Sequence, residues 1–346
     1  MGTSSLRKSM IASIKENGFN AIVIDIKDEA GQLSYNSSVQ TAIDIKASKR
    51  MVANITEVIN ELKENNIYVI GRIVTFKDPN FASKETNIAY KKADGTLWTD
   101  YNGNKWPNPY NENSWEYPIA LAKEAAELGF QEIQFDYIRF PSSEGNVKTI
   151  AYGLESSTKT KSQVINEFLR KAMTELENYD VLVSADVFGI TTKRDGDFEN
   201  IGQNFAEIAS IVDVICPMIY PSHYNFNEYR IAKPDKAPYD IIKNALTDAN
   251  KRLDSFRNTH SGDATINIEF AKLRPYYQDF TASWLGKGNY LSYGNTEVTA
   301  QIQAGFDLGI KDFCLWDPNN KYCYSSLSEV KEKIDIDSGN QISGEF

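Results

Sequence analysis

The sequence predicts an α/β protein in which strands and helices alternate to form a (β/α)8 barrel of the TIM type. Seven short apolar runs of strand character alternate with helix-like segments along the chain. The strand-like runs are almost continuously apolar, which is typical of a parallel sheet covered by helices. Each run also carries a polar residue near its C-terminal end, where parallel barrels hold their chemistry. These polar residues are Asp25, Arg72, Asp136, Asp186, Tyr220, Asp279 and Asp317.

The first half of the chain supplies three of the predicted strands. The strand within Gly129–Pro141 is expected to end near Pro141, because proline cannot donate a hydrogen bond to a neighbouring strand. A long loop over Lys77–Asn113 is rich in Trp and Tyr, and loops of this length are often functional. The other predicted elements are the helices Ser5–Asn17, Ala53–Asn65 and Ser114–Leu128 and the strands Ala21–Lys27 and Tyr68–Phe76.

The second half follows the same alternation after another long loop, Ser142–Lys161. Its strands are predicted at Val181–Gly189 and Val212–Tyr220, within Ala264–Phe280, and at Lys311–Asp317. Its helices are predicted at Ser162–Glu177, Gly202–Ser210, Tyr239–Phe256, Glu297–Leu308 and Ser325–Ile334.

A regular barrel has eight strands, whereas seven are counted here and the chain opens with a helix. We therefore expect either that the first strand of the barrel precedes this sequence or that the count is one short. An open doubly wound sheet is the alternative architecture, but the chain has no glycine-rich phosphate loop to favour it. Residues 1–336 are expected to form one barrel domain, followed by a C-terminal tail over 337–346.

Composition excludes several classes of function. The formal net charge is −10, which disfavours nucleic acid and anionic membranes as partners because both select basic surfaces. No apolar run is long enough to cross a membrane. The chain has two histidines and three cysteines without metal-ligand spacing, so we expect neither a metal site nor a cofactor. Aromatic residues make up 12% of the chain, and many of them fall in loops, which fits carbohydrate stacking or a protein interface.

Six motifs resemble, in the same order, those of the family called the "putative glycoside hydrolase domain", formerly a domain of unknown function. They are AIVIDIKDEAG, YVIGRIVTFKDP, GFQEIQFDYIRFP, VSADVFG, PMIYPSHY and YYQDF, and the resemblance extends from about Ala21 to Asp317. The family is similar to amylase-like and related TIM-barrel glycosidases. The resemblance implies hydrolysis of glycosidic bonds in a polysaccharide or cell-envelope glycan. It also implies a bacterial protein that is exported or attached to the cell surface.

Glycoside hydrolysis needs two carboxyl groups on either side of the scissile bond. Asp136 and Asp186 occupy equivalent late positions on consecutive strands, and neighbouring parallel strands lie about 4.8 Å apart. Similarity to amylase-like barrels implies that Asp136 is the nucleophile and Asp186 the acid/base. The alternative is that these aspartates are structural and pair with Arg72 or Arg139.

Nine further residues are candidates for binding the carbohydrate. Arg72 and Arg139 could hold a carboxylate ionised or bind sugar hydroxyls. Asp25 and Lys27 are expected to share a face of their strand and to pair across the pocket mouth. The remaining candidates each have a structural alternative, such as a turn anchored by proline or an ordinary core aromatic, and they are Tyr220, His223, Tyr224, Asp279 and Trp316.

Two other functions compete with the hydrolase. A carbohydrate-binding barrel without catalytic activity would explain the loop aromatics equally well, and a structural barrel of a surface assembly is the third possibility. Paired acids at the ends of strands favour the enzyme, because binding alone does not require two converging carboxyl groups.

Overall fold

A parallel sheet whose strands follow chain order forms the centre of the molecule. The computed structural model describes residues 3–49, 51–260 and 269–331. Its strands are β1 (Ala21–Lys27), β2 (Tyr68–Val74), β3 (Lys91–Lys92), β4 (Glu132–Asp136), β5 (Ile150–Ala151), β6 (Leu182–Phe188), β7 (Val214–Ile219), β8 (Lys272–Leu273), β9 (Tyr276–Gln278) and β10 (Cys314–Trp316).

The central sheet has the order β1-β2-β4-β6-β7-β9-β10, and every pairing within it is parallel. Strand β8 also pairs with β7, at Val214 and Ile215, while β9 pairs with β7 at Met218 and Ile219. The two short strands therefore share one position, and the sheet has the seven positions that the sequence predicts. The sheet curls into a partial barrel, whose hydrogen-bonded order among the described residues runs from β1 to β10. Because this order follows the chain throughout, the doubly wound alternative is wrong.

Helices alternate with the strands, as the sequence predicts, and most bounds agree within one or two residues. They are α1 (Ser4–Glu16), α2 (Gln40–Asp44), α3 (Ile55–Glu64), α4 (Pro79–Lys84), α5 (Asn113–Leu128), α6 (Lys161–Leu176), α7 (Phe205–Ala209), α8 (Pro238–His260) and α9 (Asn295–Phe306). Residues 326–331 are also helical. The expected tail over 337–346 and the end of the last predicted helix lie outside the described residues. No helix within the described ranges is both long and apolar enough to span a bilayer.

Local sequence explains where α6 begins and why it packs on the sheet. Thr160 accepts a hydrogen bond from the backbone N–H of Gln163, and the Gln163 side chain accepts one from the Thr160 N–H. This capping box satisfies two backbone donors at the start of the helix. Apolar residues at helical spacing, such as Ile165 and Phe168, then bury one side of the helix.

Strand β4 is shorter than the sequence suggests. It ends at Asp136 rather than near Pro141, so the predicted boundary is wrong by several residues. The reason is Tyr137, whose φ of +51° places it in the left-handed region and turns the chain out of the sheet. The turn occurs at the carboxyl end of the strand and directly after the candidate carboxylate.

The long loop after β2 is an ordered part of the fold. It contains α4 and β3, and β3 pairs in antiparallel fashion with β5 from the second long loop. Trp98 and Trp106 are buried in this loop, at 1% and 0% exposure. The prediction that the aromatic residues of this loop serve a binding function is therefore wrong for these two tryptophans, which instead form part of the hydrophobic core.

Candidate active site

A cavity of about 360 Å³ opens at the carboxyl ends of the central strands. A larger space of about 1030 Å³ lies at their amino ends, near Ala21 and Tyr68. The smaller cavity is the candidate site, because it contains both predicted catalytic carboxylates and lies at the end where barrels hold their chemistry. Its lining residues are Glu29, Arg72, Asp136, Tyr137, Arg139, Asp186, Phe188, Gly189, Ile190, Met218, Tyr220, His223, Tyr224, Tyr276 and Trp316.

Asp136 is held in place by two neighbours. The Nε and Nη2 atoms of Arg72 donate to its Oδ2 at 2.9 and 2.6 Å. The backbone N–H of Tyr137 donates to its Oδ1 at 2.6 Å. The left-handed conformation of Tyr137 accompanies this contact, and backbone strain of this kind is often found at functional sites. The arrangement compensates a negative charge on Asp136 and fixes the direction of its carboxylate.

Asp186 lies on the neighbouring strand in a very different environment. The register pairs Phe135 with Ala185, so the two aspartates are the next residues along adjacent strands. Asp186 is only 1% exposed, and its Oδ1 has no hydrogen-bond partner among the described residues. Burial raises the pKa of the Asp186 carboxyl well above its ordinary value, the charge of Asp136 raises it further, and Arg72 acts in the opposite direction. This environment favours the protonated form of Asp186.

Arg72 links the floor of the cavity to its outer edge. Its Nη1 donates to Oδ1 of Asp25 at 2.7 Å, while its other two donors bind Asp136. Burial alone would lower the pKa of Arg72, but the charges of Asp136, Asp25 and Asp186 together raise it. Asp25 has half of its side chain exposed and does not line the cavity, so it contacts the site through Arg72.

The predicted pairing of Asp25 with Lys27 is wrong. The register between β1 and β2 shifts between these two residues, which breaks the simple alternation of faces. Lys27 is instead fully buried and bonded to Asp78 at 2.6 Å, with its ammonium 5.0 Å from the Tyr117 ring centroid. Its side chain lies outside the cavity lining, so Lys27 has a structural environment and not a ligand-binding one.

Four predicted aromatic side chains do line the cavity. Tyr220, His223 and Tyr224 follow β7, and Trp316 ends β10. The Tyr220 ring lies 5.3 Å from His223 and 5.9 Å from Trp316 between centroids. Burial raises the pKa of the Tyr220 hydroxyl, and the charges of the two cavity carboxylates raise it further. Tyr220 therefore remains a neutral hydrogen-bonding group beside them.

Arg139 also lines the cavity, but its charge has a partner elsewhere. It bonds to Glu144, and its guanidinium stacks between the rings of Tyr137 at 4.8 Å and Phe188 at 4.6 Å. Arg139 does not pair with either catalytic candidate. It forms a rigid, stacked part of the wall.

Asp279, the third carboxylate candidate, is outside the cavity lining. It is 4% exposed and its Oδ2 accepts a hydrogen bond from the Cys323 backbone N–H at 2.7 Å. Burial raises the pKa of Asp279 to about 6, with an opposing effect from the Cys323 bond and a further rise from Asp317. The structure thus separates Asp279 from the pair on β4 and β6.

Two charged residues at the site are not among the candidates predicted from the sequence. Glu29 lines the cavity, and Lys77 binds it at 2.6 Å. Burial would raise the pKa of Glu29, but Lys77, the hydroxyl of Tyr137 and Arg72 lower it. Glu29 follows the end of β1, so the rule that selected the other late polar residues would have found it. No cluster of potential metal ligands occurs within residues 3–49, 51–260 and 269–331.

The curled parallel sheet and the cavity at its carboxyl end define the class: a (β/α) barrel with the fold of the TIM-barrel glycoside hydrolases. Within that class, the chain belongs to the family described as "Putative glycosyl hydrolase domain", whose model matches residues 1–322. The family and the barrel that the motifs imply are therefore confirmed. No protein with a curated description has detectable sequence similarity to the chain.

Three solved structures illustrate these similarities. A hypothetical protein from Ruminiclostridium thermocellum is 40% identical, with a TM-score of 0.50, over 54% of this chain and 93% of that one. The glycoside hydrolase domain of PgaB (BpsB) from Bordetella bronchiseptica has a TM-score of 0.63 at 12% identity, over 94% and 92% of the two chains. The spore cortex-lytic enzyme SleL from Bacillus megaterium has a TM-score of 0.51 at 12% identity, over 93% and 69%. At 12% identity the last two show the shared fold alone.

Proposed function

We propose that the chain hydrolyses glycosidic bonds in a polysaccharide or cell-envelope glycan and that Asp136 and Asp186 are its catalytic carboxylates. The observation that carries the proposal is the contrast between their environments. Asp136 is bonded to Arg72 and to a backbone N–H, whereas Asp186 is buried with an unpartnered oxygen. Two carboxyl groups whose surroundings separate their protonation states are the requirement for acid–base work on a glycoside.

The proposed roles follow from these environments. Asp136, bonded to the positively charged Arg72, attacks or stabilises the positively charged sugar that develops in the transition state. Asp186, whose protonated form is favoured by burial, donates its proton to the oxygen of the departing sugar. The two side chains belong to adjacent strands about 4.8 Å apart, a separation on the scale that glycosidases use.

The remaining lining residues would position the sugar. Arg72, Arg139, Tyr220, His223, Tyr224 and Trp316 surround the pair. Tyr220 and His223 offer polar atoms beside the carboxylates, and Trp316 offers an apolar face. Pockets for small ligands commonly combine a few polar groups with apolar and aromatic walls.

We infer an extracellular or surface-attached location, because the proposed substrate is found there. One protein of the same fold is named as a spore cortex-lytic enzyme, and this name supports the proposal of a cell-envelope substrate.

The test is reducing-end release on a panel of polysaccharides and cell-wall preparations. Asp186→Asn should lower turnover by about 10²–10⁴-fold, the range for loss of an acid–base group, and Asp136→Asn should remove most of the turnover. Asp186→Asn should affect poor leaving groups far more than activated aryl glycosides, since the latter need little proton donation. Asp279→Asn is the matched control, because it removes a buried carboxylate that does not line the cavity.

Near-normal turnover by Asp136→Asn on a substrate that the wild type cleaves would contradict the assignment. Sugar binding without turnover by the wild type on any glycan of the panel would favour the non-catalytic binding barrel.

A further inference from the structure

The five tryptophans of the chain fall into two groups. Trp98, Trp106 and Trp115 are buried at 4% exposure or less. Trp284 and Trp316 are 64% and 37% exposed, and both lie against the Phe280 ring, at 5.8 and 5.3 Å between centroids. Exposed tryptophans are thus concentrated at one place on the described surface. Apolar surface gathered in this way commonly marks a binding site.

Each exposed indole is backed by a buried aromatic ring. Trp284 stacks on Phe280 with an interplanar angle of 22°, and Trp316 lies at 31° to Tyr220. Phe280 and Tyr220 are only 6% and 8% exposed. The buried rings fix the orientation of the indoles before any ligand arrives, which reduces the entropy lost on binding.

The exposed indoles continue the wall of the catalytic cavity. Trp316, Tyr220 and His223 line the cavity, and the His223 ring lies 6.4 Å from Trp284. Burial lowers the pKa of His223, so its ring is neutral at neutral pH and none of these aromatic side chains carries a charge. We call Tyr220, His223, Phe280, Trp284 and Trp316 the aromatic shelf.

We propose that the aromatic shelf binds successive sugar units of a neutral polysaccharide whose chain continues into the cavity. This inference rests on the proposed function, since it assumes that the cavity accepts a sugar. The C–H face of a pyranose ring is apolar and flat enough to stack on an indole, while its hydroxyls point to water. An uncharged shelf on a protein of net charge −10 selects against polyanionic chains.

The geometry requires more than one sugar unit. Trp316 is nearly perpendicular to Phe280, at 89°, whereas Trp284 is nearly parallel to Phe280. The two indole planes are therefore steeply inclined to each other, and a single sugar ring cannot stack on both. A chain that bends between two units can, so the site is matched to a polymer rather than to a single small glycoside.

Continuity with the carboxylates favours a glycan over a protein partner. A protein docked on Trp284 and Trp316 would cover the mouth of the cavity that contains Asp136 and Asp186. A glycan on the same surface places one of its bonds at these groups.

The test measures affinity against chain length by calorimetry in an Asp136→Asn background, where the ligand is not consumed. The probes are cello-, chito- and malto-oligosaccharides of two to six units, with oligogalacturonate as the anionic comparison. Affinity for at least one neutral series should rise with length. Trp284→Ala should lower the affinity for the longest member by about threefold to tenfold, the effect of losing one stacked ring. Its effect on the disaccharide should be much smaller.

Tyr101→Ala is the matched control, because Tyr101 is 76% exposed and outside the cavity lining. Affinity that is independent of length, preference for the anionic series, or no binding to any series would overturn the inference. So would a Trp284→Ala effect confined to self-association in size-exclusion chromatography, which would make the shelf a protein interface.

The inference and the proposed function fail in different ways. If the wild type hydrolyses a glycan but Trp284→Ala leaves the dependence of affinity on chain length unchanged, the aromatic shelf is contradicted and the proposed hydrolase stands. Length-dependent binding that needs Trp284, without hydrolysis by the wild type, would overturn the hydrolase and leave the shelf.

Discussion

Replacing Asp186 with a side chain that cannot ionise should stabilise the protein, and increasingly so as the pH rises. The side chain is 1% exposed and its Oδ1 is without a partner in the described part of the chain. Ionising a carboxyl in such a place is unfavourable, which is why burial and Asp136 raise its folded-state pKa. Asp186→Asn keeps the size of the side chain and removes the need to ionise it.

The sign and magnitude follow from proton linkage. Between the ordinary aspartate pKa of about 4 and the raised folded-state value, the folded chain holds a proton that the unfolded chain has lost. The contribution of Asp186 to the unfolding free energy therefore falls by about 1.4 kcal/mol for each pH unit in that interval. Relative to the wild type, the gain of Asp186→Asn in unfolding free energy should therefore grow with pH across that interval.

Urea unfolding followed by circular dichroism at pH 5, 6 and 7 measures this difference directly. Asp44→Asn controls for the general effect of removing one negative charge, because Asp44 is an exposed carboxylate on α2. An Asp186→Asn effect that is the same at all three pH values would refute the reasoning, since it would mean that Asp186 ionises as readily in the folded chain as in the unfolded one.

Three further predictions concern buried contacts of the barrel, and each is measured by urea unfolding. Arg72→Met leaves the buried carboxylate of Asp136 without its counter-ion and should lower the unfolding free energy by about 3–5 kcal/mol. Asp25→Asn removes only the half-exposed partner of Arg72 and should lower it by about 0–1 kcal/mol. Equal losses would contradict the view that Arg72 mainly supports Asp136. Arg274→Met removes the counter-ion of Glu132, which is fully buried and whose two carboxylate oxygens accept from Nη1 of Arg274 at 2.7 and 2.9 Å. We expect the unfolding free energy to fall by about 3–5 kcal/mol. A fall below about 1 kcal/mol would show that stability does not depend on this pair. Gly189→Ala would place a Cβ 2.5 Å from the backbone oxygen of Met218 in β7 and should lower the unfolding free energy by about 1–3 kcal/mol. An unchanged unfolding midpoint would indicate that the segment after β6 can move away from β7 at this point.

Much of the barrel could be predicted from the sequence because its strands are apolar runs whose order in space repeats their order in the chain. The adjacency of Asp136 and Asp186 followed from that order and from their equivalent late positions. The apolar runs and the positions of the aspartates are local properties of the sequence. The rest follows from the rule that the carboxyl ends of parallel strands meet at one edge of the sheet. The sequence pattern therefore predicted the order of the strands and placed the two aspartates at one cavity.

The partners of the polar groups could not be predicted in the same way. Lys27 binds Asp78, which lies 51 residues away, because an irregularity in β1 turns its side chain from the expected face. Trp284 belongs to a short turn after β9, and its role depends on Phe280 and Trp316, which come together only in the folded chain. Such contacts between loops leave no periodic signal in the sequence.

The buried tryptophans of the loop after β2 have a consequence for selectivity. The ring centroids of Trp106 and Tyr137 lie 6.2 Å apart. The side chain of Lys27 in β1 also donates to Asp78, the residue that caps the start of α4. Tyr137, which lines the cavity, therefore packs against a part of the core that is already ordered when the chain folds. If the proposed function is correct, this ordered wall should discriminate between sugars by their shape, because it has little freedom to rearrange around them.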